Sequence, residues 1–337
     1  MVFSATTARE DPSLRFIIKQ FIAAGIGLAA MRYLMFRDYR DWRNQKLVFF
    51  ALASVMGLLI VAAFFGGGAG TTRFLQLGGL VSFQPSELAK LALILFLAFY
   101  LESRRGELDE WRSLSGAGLV VAGLCLLVYG GLDLGTPILL MLIAAAILWS
   151  AAAPFRYFAA GVLAVVPLVW LAVIFAPFRI QRIMTFMHPE ADPRGAGFQV
   201  IQSKIAVGSG GLFGNGVMLG RQKMRFLPEA HTDFIFAVIG EELGFLFCVL
   251  VVLAFGVILW RGLLAAVRAP DPFGRYLATG VTAMIVFQAM INMGVVLGML
   301  PTKGMTLPFI SYGGSSLMIC LAGAGLLLNV SQHRESV

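Results

Sequence analysis

The sequence predicts an all-α polytopic membrane protein, and three observations carry that reading. Its 337 residues are 59% hydrophobic and only 13% charged, against the roughly 25% charged residues of a soluble domain. Mean hydropathy is +0.85. Apolar stretches long enough to cross about 30 Å of hydrocarbon recur along the whole chain, at roughly 14–36, 47–66, 86–101, 116–132, 133–151, 157–176, 233–260, 276–299 and 313–331. The expectation is one integral-membrane domain over 1–337, with nine spans and a large loop at 177–232.

Residues 1–13 are polar (Ser4, Thr6, Thr7, Arg9, Glu10, Asp11) and contain no cleavable leader. After the first span, Arg37, Arg40, Arg43 and Lys46 form the clearest basic loop, which places 37–46 in the cytoplasm. Alternation then puts Arg104, Arg105, Arg112, Arg156, Arg261, Arg268, Arg275 and Arg334 inside as well. The outer loops 66–85 and 300–312 hold one basic residue each, Arg73 and Lys303. This topology leaves the C-terminus cytoplasmic and Met1 outside. A chain that starts outside without a leader is awkward to insert, so a further span is expected before residue 1.

The third span opens on Gln84-Pro85-Ser86-Glu87-Leu88-Ala89-Lys90. Ser86 is the expected helix cap, with Pro85 before it and Glu87 in the first turn. Glu87 and Lys90 are three apart, so they share a helix face and can pair. Capping and pairing explain much of this motif. A role in a substrate cavity stands beside them, because Lys90 lies a full turn inside an apolar run. Residues 116–151 read either as one hairpin or as a pair broken around Gly130-Gly131-Leu132-Asp133, with Asp133 capping the second helix. Cys125, Cys248 and Cys320 all lie in apolar spans and read as small hydrophobes.

The loop 177–232 is placed outside yet carries Arg179, Arg182, Arg194, Lys204, Arg221, Lys223 and Arg225. Such an excess either contacts lipid headgroups or holds an anionic substrate, since Arg and Lys bind phosphate well. Where this loop meets the next span stands Leu227-Pro228-Glu229-Ala230-His231-Thr232-Asp233. A carboxylate at the lip of a span is a functional candidate. Asp233 has two compatible readings: helix cap (shared with Thr232) and general base on a hydroxyl group. Glu241 and Glu242 follow more than two turns deeper. Adjacent residues diverge on a helix, so partner contacts inside the bundle account for them best.

Between the last two spans lies Thr306-Leu307-Pro308-Phe309-Ile310-Ser311-Tyr312-Gly313-Gly314-Ser315-Ser316. Its glycines, proline and serines are poor helix formers. Irregular backbone at membrane depth is tolerated only where it is buried or lines a wet cavity, so this run is either a turn or a cavity wall. His188, His231 and His333 are scattered, which argues against a zinc site. No nucleotide loop or dinucleotide fingerprint is present. The net charge of +8 suits contact with anionic lipid or phosphate; no nucleic-acid partner is expected.

Taken in order, these motifs resemble the SEDS family of membrane glycosyltransferases, along the whole chain. The resemblance rests on Gln84-Pro85-Ser86-Glu87 with Lys90, Asp133-Leu134-Gly135-Thr136, and Gly197-Phe198-Gln199 with Gln202 leading into Ala206 and Gly208-Ser209-Gly210-Gly211. It continues through Gln222-Lys223, Leu227 to Asp233, Glu241-Glu242-Leu243-Gly244, Asn292, Pro301-Thr302-Lys303-Gly304 and the run at 306–316. Pro301 to Gly304 and Gln222-Lys223 look more like the division branch than the elongation branch, with the sporulation branch also open. Phe74 stands where many members carry Trp, and Gly131 and Leu132 where members often carry Gln and Pro.

The resemblance implies a SEDS-type bundle of ten spans in the bacterial cytoplasmic membrane, at the division septum. It implies polymerisation of lipid II into β-1,4-linked glycan strands on the outer face. There the 4-hydroxyl of an acceptor GlcNAc attacks the anomeric carbon of a donor MurNAc, and undecaprenyl pyrophosphate leaves. Asp233 matches the family's catalytic aspartate and is the expected base. Arg73, Glu87, Lys90, Gln202, Lys223, His231, Lys303, Ser311, Gly313 and Ser315 are the expected substrate-binding residues. The chemistry admits a divalent cation (Mg or Mn), without a visible ligand cluster and with no metal ligand assigned. Expected partners are lipid II and the growing strand, a class B penicillin-binding transpeptidase (FtsI-like), and division-complex membrane proteins of the FtsQ, FtsL and FtsB types. Two rival readings share the motifs: a lipid II flippase, and a scaffold that activates a transpeptidase without chemistry of its own.

Overall fold

In hydrocarbon every backbone N–H and C=O must find its partner within the protein, and an apolar run does so by coiling into a helix. The computed structural model describes residues 13–65, 75–77, 81–131, 133, 135–193, 195, 197–220 and 231–333. Among them the long helices are α1 (Ser13–Phe36), α2 (Gln45–Phe65), α3 (Pro85–Ser103), α4 (Trp111–Gly130), α5 (Gly135–Ser150) and α6 (Phe155–Ile174), then α9 (Ile235–Val267), α10 (Pro272–Val296) and α11 (Gly314–Gln332). They fall on the nine apolar stretches. Six are long and apolar enough to span by themselves. Of the others, α3 carries Glu87, Lys90 and Glu102, α5 has only 16 residues, and α6 contains Pro167.

One local expectation is corrected, and the loops hold structure that the apolar pattern did not foretell. The α3 cap is Gln84, not Ser86; Pro85 occupies the first helical position, where its missing N–H costs nothing. Residues 116–151 form two helices. The loop at 66–85 contains a short antiparallel hairpin, β1 (Leu75–Leu77) with β2 (Val81–Phe83), Gln76 lying opposite Ser82. The long loop at 177–232 holds two further helices, α7 (Pro177–Met187) and α8 (Phe198–Ser209). Residues 1–12, Arg73, Phe74, Leu132, Arg194, Arg221, Lys223, Arg225 and Arg334 lie outside the described residues.

The chain forms two compact units. The first comprises Ile18–Pro154, Gly256–Gln288 and Gly313–Val337. Its core is drawn from Leu93, Ile94 and Leu97 of α3, Leu139, Ile143 and Ile147 of α5, and Phe273 and Leu277 of α10, all at most 1% exposed. Small residues let the helices approach closely, as is usual where lipid supplies no hydrophobic drive between them. A Cβ at Gly280 of α10 would stand 2.7 Å from Ile94 and 2.8 Å from Ile147. At the end carrying Tyr39 and Asp271, Asn329 ties three segments together. Its Oδ1 accepts from Tyr39 N–H, and its Nδ2 donates to the carbonyls of Met35 and Arg37, which close the end of α1. The Tyr39 hydroxyl donates to Asp271, and burial raises its pKa above the ordinary value.

The second unit comprises Met1–Ile17, Phe155–Phe255 and Ala289–Tyr312. Here α9 is broken at Gly244, whose φ of 79° and ψ of −176° are closed to side-chain-bearing residues. The glycine-rich segment after α8 fills the break. Asn215 N–H donates to the Glu241 carbonyl and Gly216 N–H to the Glu242 carbonyl, each at 3.0 Å. In return, Phe245 N–H donates to Gly211 and Leu246 N–H to Leu212. The groups freed by the break are thus repaired by backbone alone. Gly214 lies so close that a Cβ there would meet the Glu242 carbonyl oxygen at 2.2 Å.

Candidate active site

Asp233 stands two residues before α9, half-buried, in a turn whose carbonyls precede the helical ladder. Three successive carbonyls in that turn are capped from other segments. Tyr312 N–H donates to His231 at 2.9 Å, the Ser311 hydroxyl to Thr232 at 2.6 Å, and Asn292 Nδ2 to Asp233 at 2.8 Å. The aspartate therefore rides on a peptide held at every step. Its carboxylate faces Gly304: a Cβ there would stand 3.1 Å from Asp233 Oδ2. Gly304 is exposed, so this side of the carboxylate opens on a loop surface.

The supporting groups come from the run 306–316 and from α10. The Ser311 hydroxyl is engaged twice, since it also accepts from Leu307 N–H at 2.8 Å. The His231 and Tyr312 rings lie 5.7 Å apart, tilted, and burial raises the pKa of the Tyr312 hydroxyl. Lys303 is half-buried in the same loop as Gly304, and Gln202 lies on α8, half-buried. Glu241 and Glu242 are 2% and 0% exposed, inside the segment braced by the glycine-rich clasp. Chemically, a carboxylate anchored through its own backbone and facing a bare Cα can accept a proton from a hydroxyl brought to that loop.

The first unit holds a second polar line, entirely buried. Lys90 Nζ donates to Glu87 Oε2 and to Gln288 Oε1, both at 2.7 Å, and Gln288 Nε2 donates to Ser316 Oγ at 3.2 Å. The i, i+3 pair expected from spacing is present, with Lys90 only 1% exposed. Ser315 Oγ accepts from Gln84 N–H, and Gly313 N–H donates to Gln20. Asp133 caps α5, accepting from Gly135 N–H, Thr136 N–H and the Thr136 hydroxyl. Beside it, Pro85, Ser86 and Val128 help line a cleft of about 20 Å³, room for about one water and not for a sugar.

Sequence reasoning missed Gln288 and Ser316 as members of the buried line, and the clasp at Gly244. The glycines of 208–216 were the available signal for the clasp. Arg73 and Lys223 lie outside the described residues. Among the described residues, no three His, Cys, Asp or Glu side chains gather as ion ligands.

Comparison with known proteins identifies the family. The model of the FtsW/RodA/SpoVE family, described as cell cycle protein, matches residues 1–336. A probable peptidoglycan glycosyltransferase FtsW from Geobacter metallireducens is 40% identical, covering 99% of this chain and 91% of the relative. Stage V sporulation protein E from Bacillus subtilis is 41% identical, covering 99% and 92%. Among solved structures, a chain of a peptidoglycan synthase complex that coordinates polymerization and crosslinking superposes with a TM-score of 0.79 at 32% identity, covering 98% and 93%. The rod shape determining protein RodA of Thermus thermophilus superposes at 0.73 with 29% identity, covering 100% and 94%. A family match across the chain, with a multi-pass helical fold to accompany it, establishes that this protein belongs to the FtsW/RodA/SpoVE family of cell cycle proteins.

Proposed function

We propose that this chain is a peptidoglycan glycosyltransferase of the division branch, with Asp233 as its general base. It polymerises lipid II into β-1,4-linked strands at the outer face of the cytoplasmic membrane and releases undecaprenyl pyrophosphate. The observation that carries the reading is the anchoring of Asp233: three capped carbonyls hold its peptide, while its carboxylate faces exposed Gly304. A base must be held where the acceptor hydroxyl arrives, and misplacement by about 1 Å can cost about 10²-fold in rate. The 40% identity to a probable peptidoglycan glycosyltransferase supports the reaction class.

In this reading Lys303 and Lys223 supply positive charge for the leaving pyrophosphate, whose departure such charge accelerates. Ser311 acts through the Thr232 carbonyl, while substrate roles for His231, which is buried, and for Gln202 rest on the family resemblance. Substrate roles for Arg73, Glu87, Lys90, Gly313 and Ser315 rest on the family resemblance. The topology has a cytoplasmic C-terminus, with the α9 lip outside, as the basic loops predict. A transpeptidase partner is drawn from the peptidoglycan synthase complex to which the fold is similar. Similar identities to FtsW and stage V sporulation proteins leave septal and spore-wall synthesis as sibling roles.

Labelled lipid II presented to the purified protein with its transpeptidase tests the reading. Polymer ladders support the glycosyltransferase. Translocation across vesicles without polymer overturns it in favour of a flippase, and neither activity in a folded complex overturns it in favour of a scaffold.

A further inference from the structure

Asn292 lies near the end of α10, between Ile291 and Met293 in an apolar stretch, and is 2% exposed. Its Nδ2 uses both protons: one bond of 2.8 Å to the Asp233 carbonyl and one of 2.6 Å to the Met305 carbonyl. One planar amide thus ties the peptide bearing the carboxylate to the loop that bears Lys303 and Gly304. On that loop, a Cβ at Gly304 would stand 3.1 Å from Asp233 Oδ2. Asn292 Oδ1, by contrast, is buried with no hydrogen-bond partner among the described residues. An orphaned buried acceptor destabilises a fold, so whatever this amide contributes comes from its two donor bonds.

Few side chains can replace it. Carboxylates offer no donor and would set negative charge against two carbonyl oxygens. A hydroxyl offers one donor, leucine none, and glutamine carries the same pair on an arm one methylene longer. We infer that Asn292 is a positioning residue, which fixes the Asp233 base relative to the 303–305 loop. The inference rests on the proposed role of Asp233. It deepens that reading by naming the group that sets the distance between base and acceptor surface.

The test compares native protein, Asn292→Asp, Asn292→Gln and Asp233→Asn, each in complex with the transpeptidase. Steady-state polymerisation of labelled lipid II is measured from acid to alkaline pH, alongside thermal unfolding. The expected result for Asn292→Asp is a fall in kcat of about 10²-fold with KM little changed. The acid limb of its kcat profile is also displaced, because the neighbours of the carboxylate have moved. Asn292→Gln recovers part of the rate, and it serves as the reporter if Asn292→Asp does not fold. Native kcat in folded Asn292→Asp overturns the inference. So does a loss that follows only the folded fraction, with an undisplaced profile. Full activity of Asp233→Asn removes the base reading itself and the inference with it, and that failure is visible in a different variant.

Discussion

The Ser311 hydroxyl donates to the Thr232 carbonyl across 2.6 Å and accepts from Leu307 N–H, so one buried oxygen closes the last loop and braces the turn before α9. The run that read as turn or cavity wall is, at Ser311 and Tyr312, the backbone support of Asp233.

Ser311→Ala removes both bonds, including the one that satisfies the buried Leu307 N–H, for a loss of about 2–3 kcal/mol of stability. Thermal unfolding in detergent checks the size. Ser311→Cys, close in shape with a weak donor, should lie between the two.

The buried line of Lys90 makes a sharper contrast. Lys90→Met leaves the Glu87 carboxylate without its cation, and breaking a buried pair from one side costs about 3–5 kcal/mol. The double variant Glu87→Gln with Lys90→Met removes the stranded charge and should recover most of that loss. A double variant no more stable than Lys90→Met would show that the pair is not the stabilising unit.

The glycines around the α9 break separate by geometry. Gly244→Ala forces a Cβ to within 2.3 Å of the Gly214 nitrogen at a φ of 79°. A strain above about 3 kcal/mol is expected from backbone conformation and overlap together. Gly208 in α8 meets nothing within 4 Å, so Gly208→Ala should be neutral or stabilise by up to about 1 kcal/mol through helix propensity. Yields of folded protein and melting temperatures of the two variants read this difference directly.

Much of this was legible because lipid simplifies the problem. Long apolar runs in lipid favour the helix, and the nine stretches became helices with ends within five residues of those expected, save that α9 runs seven residues past 260, to Val267. The Glu87–Lys90 pair followed from i, i+3 spacing, and the Asp133 cap from a carboxylate just before a helix. What stayed hidden depends on segments distant in sequence. Gly244 alone, inside a long and mostly apolar helix, carries no sign of a break until Gly211 to Gly216 are seen to repair it. Asn292 sits among apolar neighbours, and its purpose appears only when the carbonyls of Asp233 and Met305 arrive together. In the 177–232 loop a signal went unread: Ile180, Ile183, Met184 and Met187 of α7 fall at i, i+3, i+4 and i+7, the period of one helix face. The α3 start was misjudged by giving Ser86 precedence over the rule that Pro favours the first helical position.

In the proposed reaction, Asp233 accepts the proton of the attacking hydroxyl. Asp233→Asn keeps size and the backbone carbonyl bond to Asn292 while removing the base. With labelled lipid II and the transpeptidase partner, the account predicts loss of polymerisation of about 10²-fold or more, with thermal stability and partner binding retained. Native rates of polymer formation by the folded Asp233→Asn complex would contradict it.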